Sequence, residues 1–376
     1  MHIYIITNED NIGDNNNALG IALSIQRSAS HCVTTTQTTL KQLDYTLDPD
    51  AHNIIIAAGE HHFNSLSTFA QQDLGNSTYT IWSAHQVPHD IASCLNTIDI
   101  IVLPEHVVND DIKNIFLHST TKVVTYPGVL HTLNQQKLTT AYEQWQTQLP
   151  DLDGKKSYLS VVLAGDAPYN DGGNTTIRRF DEANAYYFGQ YVATRAQAHQ
   201  QHILITNGPR TGKHDAYHNP IANNHQDPSH IDPVTLAFCE GLAANGISKN
   251  SYTLFNFIFN QPSAYHALLE AAHISNGNIL LPGESTSMAT ECNEVLDHRL
   301  LCIYQNPAMN PIHDAFITEL CKYKTIERIS LNGRPIANTS NNSSQKTTAT
   351  EPIGKIVLEH CIENTPSPGS PYTKFV

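Results

Sequence analysis

The chain has 376 residues, 40% of them hydrophobic and only 15% charged, with a formal net charge of −14 from 21 Lys+Arg against 35 Asp+Glu. That length exceeds one compact core and suits two domains. The acidic balance, with no basic cluster larger than the pair Arg178-Arg179, argues against a nucleic-acid or anionic-membrane partner.

Residues 1–7 carry no basic n-region and no long apolar segment, so a first strand is expected there rather than a signal peptide. No window reaches the length of a transmembrane helix. The seven cysteines are dispersed and form no Cys-x-x-Cys pair, which fits reduced thiols and a cytoplasmic location. Among the 21 histidines, the closest groupings are His61-His62 and His85 with His89. Adjacent histidines diverge and Pro88 breaks any helix that would align the second pair, so no metal site is expected.

In chain order, short apolar runs alternate with helical patterns. Strands are expected at Ile3–Thr7, His31–Thr35, Asn53–Ala58, Thr78–Trp82, Ile98–Leu103 and Lys122–Tyr126, with helices near 16–28, 62–72, 109–117 and 134–148. The polar stretch 149–156, with Pro150 and Gly154, reads as a linker. The alternation then restarts. Strands are expected at Tyr158–Ala164, His202–Thr206, Ser251–Ile258, Asn278–Leu281 and Leu300–Tyr304, with helices near 179–200, 231–245, 262–272, 286–296 and 311–322. Near-continuous apolar strands between helices imply parallel sheets covered on both faces. The fold class is therefore α/β, two doubly wound Rossmann-like domains with a ligand cleft between their strand ends. The domains are expected at 1–150 and 151–335. Residues 338–350 are low-complexity and read as a mobile loop. A last helix near 351–363 can cross back onto the first domain, and 364–376 reads as a tail.

The most informative stretch is 281–291, an apolar strand end followed by Pro282-Gly283-Glu284-Ser285-Thr286-Ser287-Met288 and a helical pattern. Free N–H groups and the helix dipole at such a terminus suit an anion. Glu291, about one turn further in, can accept from a sugar diol. The alternative is an ordinary capping box built on Ser287 with Thr290 or Glu291. After the first strand comes a loop rich in Asn, Asp and Gly, in which Asp14 can act as a base or close the first helix. Gly13 and Gly20 do not make the three-glycine dinucleotide fingerprint. The turn 206–213 departs from the ATPase phosphate loop, with three residues between its glycines and His214 after Lys213. Arg210 and Lys213 there still suit a diphosphate clamp, or an exposed charged turn. The turn 164–170, with Gly165, lets a nucleotide approach the backbone. His85, His106 and His131 each follow a first-domain strand or turn, where a histidine is either an acid/base group or a hydrogen-bonded loop residue.

In order along the chain, the segments 13–20, 54–59, 99–106, 125–131, 163–166, 206–211 and 285–291 resemble a bacterial and plant family named for mitochondrial fission, of the elongated-mitochondria type, which looks like the GT-B glycosyltransferases. The resemblance implies a metal-independent transfer of a glycosyl group from a nucleotide-diphosphate sugar to a glycan, lipid or protein acceptor. No cofactor beyond that donor is implied. It places Gly165, Asp166, Asn207, Arg210, Thr211, Glu284, Ser285, Thr286, Ser287, Met288 and Glu291 on the nucleotide side, with Asp14 as acceptor base and His85 and His106 in reserve. Glu284 stands where the family usually carries Asp. Two other functions stay open: a nucleotide-sugar epimerase on the same fold, and a non-catalytic binding protein that serves organelle dynamics.

Overall fold

The computed structural model describes residues 1–7, 12–30, 32–43, 47–48, 51–72, 74, 77–84, 87–88, 91–171, 174–222, 224–323, 326–337 and 350–363, without the side chains at 12, 93–94, 170–171, 174–175, 322–323, 350–352 and 362–363. It divides into two compact units, Met1–Thr132 with Lys346–Val376, and Leu133–Gln345.

The first unit runs β1 (His2–Ile6), α1 (Ile12–Ser28), β2 (Thr34–Thr38), α2 (Leu40–Leu43), β3 (Asn53–Ala58), α3 (Glu60–Ala70), β4 (Thr78–Ser83), α4 (Ile91–Cys94), β5 (Ile100–Pro104), α5 (Asp110–Phe116) and β6 (Lys122–Tyr126). All six strands are parallel, in the order β2-β1-β3-β4-β5-β6. Successive strand residues point to opposite faces, and both faces are apolar. Ile3, Ile5, Ile54, Ile56, Ile100 and Val102 pack under Ile21 and Ile25 of α1. Tyr4, Ile6, Ile55, Ala57, Ile101 and Leu103 pack with Phe63 and Leu66 of α3.

The second unit runs α6 (Gln135–Trp145), β7 (Ser157–Val162), β8 (Ala167–Asp171), β9 (Asn174–Arg178), α7 (Glu182–His199), β10 (Gln201–Thr206), α8 (Pro233–Ala244), β11 (Tyr252–Phe255), α9 (Tyr265–Ile274), β12 (Asn278–Pro282), α10 (Thr286–Val295), β13 (Leu301–Tyr304), α11 (Pro311–Tyr323) and β14 (Glu327–Ile329). Its parallel sheet has the order β11-β10-β7-β12-β13-β14. Leu159, Val161, Ile203 and Ile205 face Phe188 and Val192 of α7 and Phe238 of α8. Val162, Ile279, Leu281 and Ile303 face the α10–α11 side, with Cys292 and Phe316. The two sheets are the doubly wound, GT-B-like architecture expected.

Helix α12 (Thr350–Glu363) returns to the first unit. Ile353 and Val357 join the α1 core. The Gly354 N–H donates to Ser24 Oγ at 2.8 Å, and the Tyr79 hydroxyl donates to the Cys361 carbonyl at 2.8 Å.

Four departures from the sequence reading have local causes. The chain leaves the first unit at 132/133, not in the polar stretch at 149–156, because α6 packs on α9 and Gln135 donates to Glu270 at 2.9 Å. Helix α1 begins at Ile12 instead of 16, since the amide-rich run 14–17 sits inside its first turns. The second strand lies at Thr34–Thr38, three residues beyond the expected start. It is an edge strand of Thr and Gln with only Thr38 buried, so it carries no apolar signal. The antiparallel hairpin β8–β9 was not expected at all, because its residues are mostly polar. His31, residues 338–349 and the 364–376 tail lie outside the described residues.

Candidate functional site

Each sheet has a point where strand order reverses, which is where doubly wound folds open a crevice. In the second unit it lies between β7 and β12, neighbours in the sheet but far apart in sequence. The loops leaving these two strands are tied together. The Gly165 N–H donates to Glu284 Oε1 at 2.8 Å, and Asn306 Nδ2, from the turn after β13, donates to Glu284 Oε2 at 2.6 Å. Both carboxylate oxygens of the buried Glu284 are thus committed to the loops. Gly165 is required there, since a Cβ would come within 2.6 Å of Arg210 Cβ. The Asp166 N–H donates to the Arg210 carbonyl at 2.9 Å, seating the 206–213 turn against the β7 loop.

Helix α10 starts beside this knot. Asn109, Asn134, Asp181 and Asp232 each cap a helix with a side-chain oxygen. Ser285, the N-cap of α10, makes no such bond. The expected alternative, a capping box on Ser287, is overturned. Ser287 lies inside the first turn, and Thr290 Oγ1 donates instead to the Thr286 carbonyl at 2.9 Å. Among the described residues no group accepts from the N–H groups of Thr286, Ser287 and Met288, so the terminus is open as an anion site requires. Arg210 is half-buried, and its guanidinium has no hydrogen-bonding or ion-pair partner among the described residues. Its positive charge acts on the Glu284 carboxyl.

The other expected nucleotide residues brace this site. Asp166 Oδ2 accepts from both the N–H and Nδ1 of His214 at 2.9 Å, and Oδ1 from the Phe180 N–H at 3.3 Å. Asn207 donates to Asp232, Thr235 and Asn256 and accepts from the Phe257 N–H at 2.6 Å. Thr211 Oγ1 accepts from the Gly208 N–H at 3.1 Å. These polar groups are buried and spend hydrogen bonds on the neighbouring loops. Glu291 is buried beside the Tyr265 hydroxyl, whose pKa is pushed well above the ordinary phenol value by burial and then by Cys292 and Glu291. The carboxylate expected to hold ribose is therefore already engaged with α9. Arg178 lies over the Tyr169 ring at 5.1 Å and donates to the Met309 carbonyl, fixing the hairpin beside the site.

Burial raises the Glu284 carboxyl above its ordinary value, while Arg210, the Gly165 N–H and Asn306 pull it back. A carboxyl raised on folding favours the folded state below its unfolded value of 4.5. That contribution is lost as the pH climbs through the folded value. Without Arg210 the ionised form is costlier still. Arg210→Ala is expected to melt with wild type at about pH 4 and about 2–4 °C below it at neutral pH, roughly what 1 kcal/mol does in a domain of this size. An equal deficit in thermal melts at both pH values would show that Arg210 does not act through Glu284.

In the first unit the order reverses between β1 and β3. Asp14, in the first turn of α1, meets Gly59 at the start of α3. A Cβ on Gly59, whose φ is +93°, would overlap the Asp14 carboxylate. Asp14 is thus not the cap of its own helix. It places a carboxylate at the N-terminus of α3, which has no side-chain cap. Asp14 Oδ2 lies 3.8 Å from His61 Nδ1, with one fifth and one third of the two side chains exposed. The His62 ring lies 4.1 Å from that of His61, and burial lowers its pKa, with His61 adding to the effect. Beneath them Asn17 Nδ2 donates to Ser83 Oγ at 3.1 Å. The buried Tyr126 hydroxyl sits near both. His106 lies half-buried in the 3-10 turn Glu105–Val107 after β5, two strands beyond β3 in the sheet. His85 lies outside the described residues. In sequence His61 stands out only as one of two adjacent histidines, whose divergence argues against a metal site. Its position three residues after the end of β3, at the reversal of strand order, is the signal that could have singled it out. Among the described residues no group of three His, Cys, Asp or Glu could hold a metal ion.

Two six-stranded parallel sheets, each with polar groups gathered at the reversal of strand order, define a protein of the GT-B-like class. The chain belongs to the mitochondrial fission ELM1 family, whose model matches residues 13–229. Among solved structures it is similar to a UDP-GlcNAc 2-epimerase from Methanocaldococcus jannaschii, with a TM-score of 0.51 and 10% identity over 96% of this chain and 100% of that one. A glycosyltransferase from Rickettsia africae matches with a TM-score of 0.43 and 11% identity over 97% of this chain and 94% of that one. At 10% identity the likeness to the epimerase shows the fold alone. No curated protein matches by sequence.

Proposed function

We propose that the protein transfers a glycosyl group from a nucleotide-diphosphate sugar, and that the second unit holds the donor. The observation that carries this is the open N-terminus of α10 beside the Arg210 guanidinium, unpartnered among the described residues, at the strand-order reversal of the second sheet. Three backbone N–H groups, the helix dipole and a guanidinium converge where a diphosphate would sit. The leaving diphosphate gains charge in the transition state, and fixed donors of this kind stabilise it without reorganising. Asp166, Asn207, Thr211 and Glu284 hold the loops in place. In the first unit Asp14 takes the proton from the acceptor hydroxyl, with His61 alongside and His106 in reserve.

An epimerase acting on a nucleotide sugar is the second reading, supported by the full-length fold likeness to the Methanocaldococcus enzyme. It uses the same donor site and needs no acceptor. A ligand of the native state raises apparent stability, so nucleoside diphosphates and their sugars are expected to raise the melting temperature while nucleosides alone do not. No shift with any diphosphate would remove the donor site and both readings with it.

A further inference from the structure

We propose that the outer face of α7 carries a second site, a groove that binds a neutral oligosaccharide. The groove, of about 900 Å³, lies between α7, the residue after α8, and the turns that follow β13 and β14. It does not include Arg210 or the first turn of α10, so it is separate from the diphosphate site. Among the described residues, none of the twelve that line it is charged. An uncharged lining offers no counter-charge to a phosphate, carboxylate or ammonium ligand. Ten of its twelve lining residues carry an amide or a hydroxyl, set among the apolar surface of the two tyrosine rings, Pro307 and Leu331.

What it offers is the chemistry of sugar recognition. Tyr187 is 63% exposed, one of the few large aromatic rings left in solvent. Its flat face suits the C–H face of a pyranose, and its hydroxyl remains free to bond. Gln190 and Gln305 present side-chain amides with no partner among the described residues, able to donate and accept at once, as vicinal hydroxyls demand. The wall opposite is pre-formed. The turn Ser330–Arg334 is closed by Ser330 N–H to the Arg334 carbonyl at 3.0 Å and Gly333 N–H to the Ser330 carbonyl at 2.8 Å. Ser330 Oγ donates to Asn332 Oδ1 at 2.6 Å, which leaves the Asn332 Nδ2 hydrogens for a ligand. The volume exceeds one sugar ring and suits a short chain. Asn306, at the groove's edge, also donates to Glu284. One side chain therefore links the groove to the loop that precedes α10.

The proposal stands independently of glycosyl transfer. The test is calorimetric titration of the full chain with maltoheptaose, cellohexaose and chitohexaose, and with a heparin hexasaccharide as the charged probe. At least one neutral oligosaccharide should bind saturably, and the charged one should not. Tyr187→Ala and Asn332→Ala, both at exposed positions that spare the core, should each weaken binding by about tenfold. Arg210→Ala should leave it unchanged while weakening nucleoside diphosphate. Absence of saturable binding by all three neutral probes, or binding indifferent to Tyr187→Ala and Asn332→Ala, overturns the site. Preference for the heparin probe overturns the assignment of ligand class.

Discussion

Asp14→Asn is expected to keep donor binding and to lower turnover by on the order of 100-fold or more, the contribution of a positioned base. The substitution preserves the shape of the side chain at the N-terminus of α3, which it approaches closely because Gly59 has no Cβ. The fold should therefore survive, and an unchanged melting temperature checks that it does. Donor affinity should persist, since the groups proposed to hold the diphosphate belong to the second unit. Turnover is measured with a nucleotide sugar and a panel of glycan, lipid and protein acceptors. An epimerase would interconvert the nucleotide sugar with no acceptor present. A protein that only binds would show no turnover in the wild type either. Transfer by wild type with nearly the same rate in Asp14→Asn would reduce Asp14 to an anion that stabilises α3, and His61 would be replaced next.

Arg210→Ala is expected to weaken nucleoside diphosphate binding by about tenfold or more, because a charge-assisted hydrogen bond contributes roughly 1.5–3 kcal/mol. Arg210→Lys should recover only part, since an ammonium restores the charge without the planar fork that grips two phosphate oxygens. Calorimetry at neutral pH reads both. Unchanged affinity in Arg210→Ala would return the 206–213 turn to an exposed charged loop, which its sequence equally allowed. The same variant separates two roles. Loss of binding with the pH-dependent stability deficit means that Arg210 serves ligand and Glu284 together, whereas the stability deficit alone means that it serves only Glu284.

Much of the fold was legible because its signals are local. Ile54–Ala58 and Ile100–Leu103 are apolar without a break, as strands buried on both faces must be. Asp181, Asp232-Pro233 and Asn134 announce their helices through caps that lie within three residues of the N–H they serve. The hairpin β8–β9 gave no such signal, because a polar ribbon gains its stability from cross-strand bonds and from Arg178 reaching Met309, contacts remote in sequence. The boundary between units was misplaced for the same reason. Residues 149–156 look like a linker locally, but α6 belongs with α9, more than a hundred residues on.

The sequence by itself determined the two α/β series, the turn positions at strand ends and the residue types gathered there. It put Asp14, Arg210 and the 285–288 turn where ligands bind in such folds. Only the tertiary structure decided which of those groups are free. Asp166, Asn207 and Glu284 carry the same chemistry as a ligand-binding group, yet each spends its polar atoms on a neighbouring loop. Among the described residues the Arg210 guanidinium is left unpartnered, and Ser285 leaves its helix without a side-chain cap. Hydrogen-bond capacity is a property of the residue, but its use depends on which loop a distant strand brings alongside, and no local pattern records that.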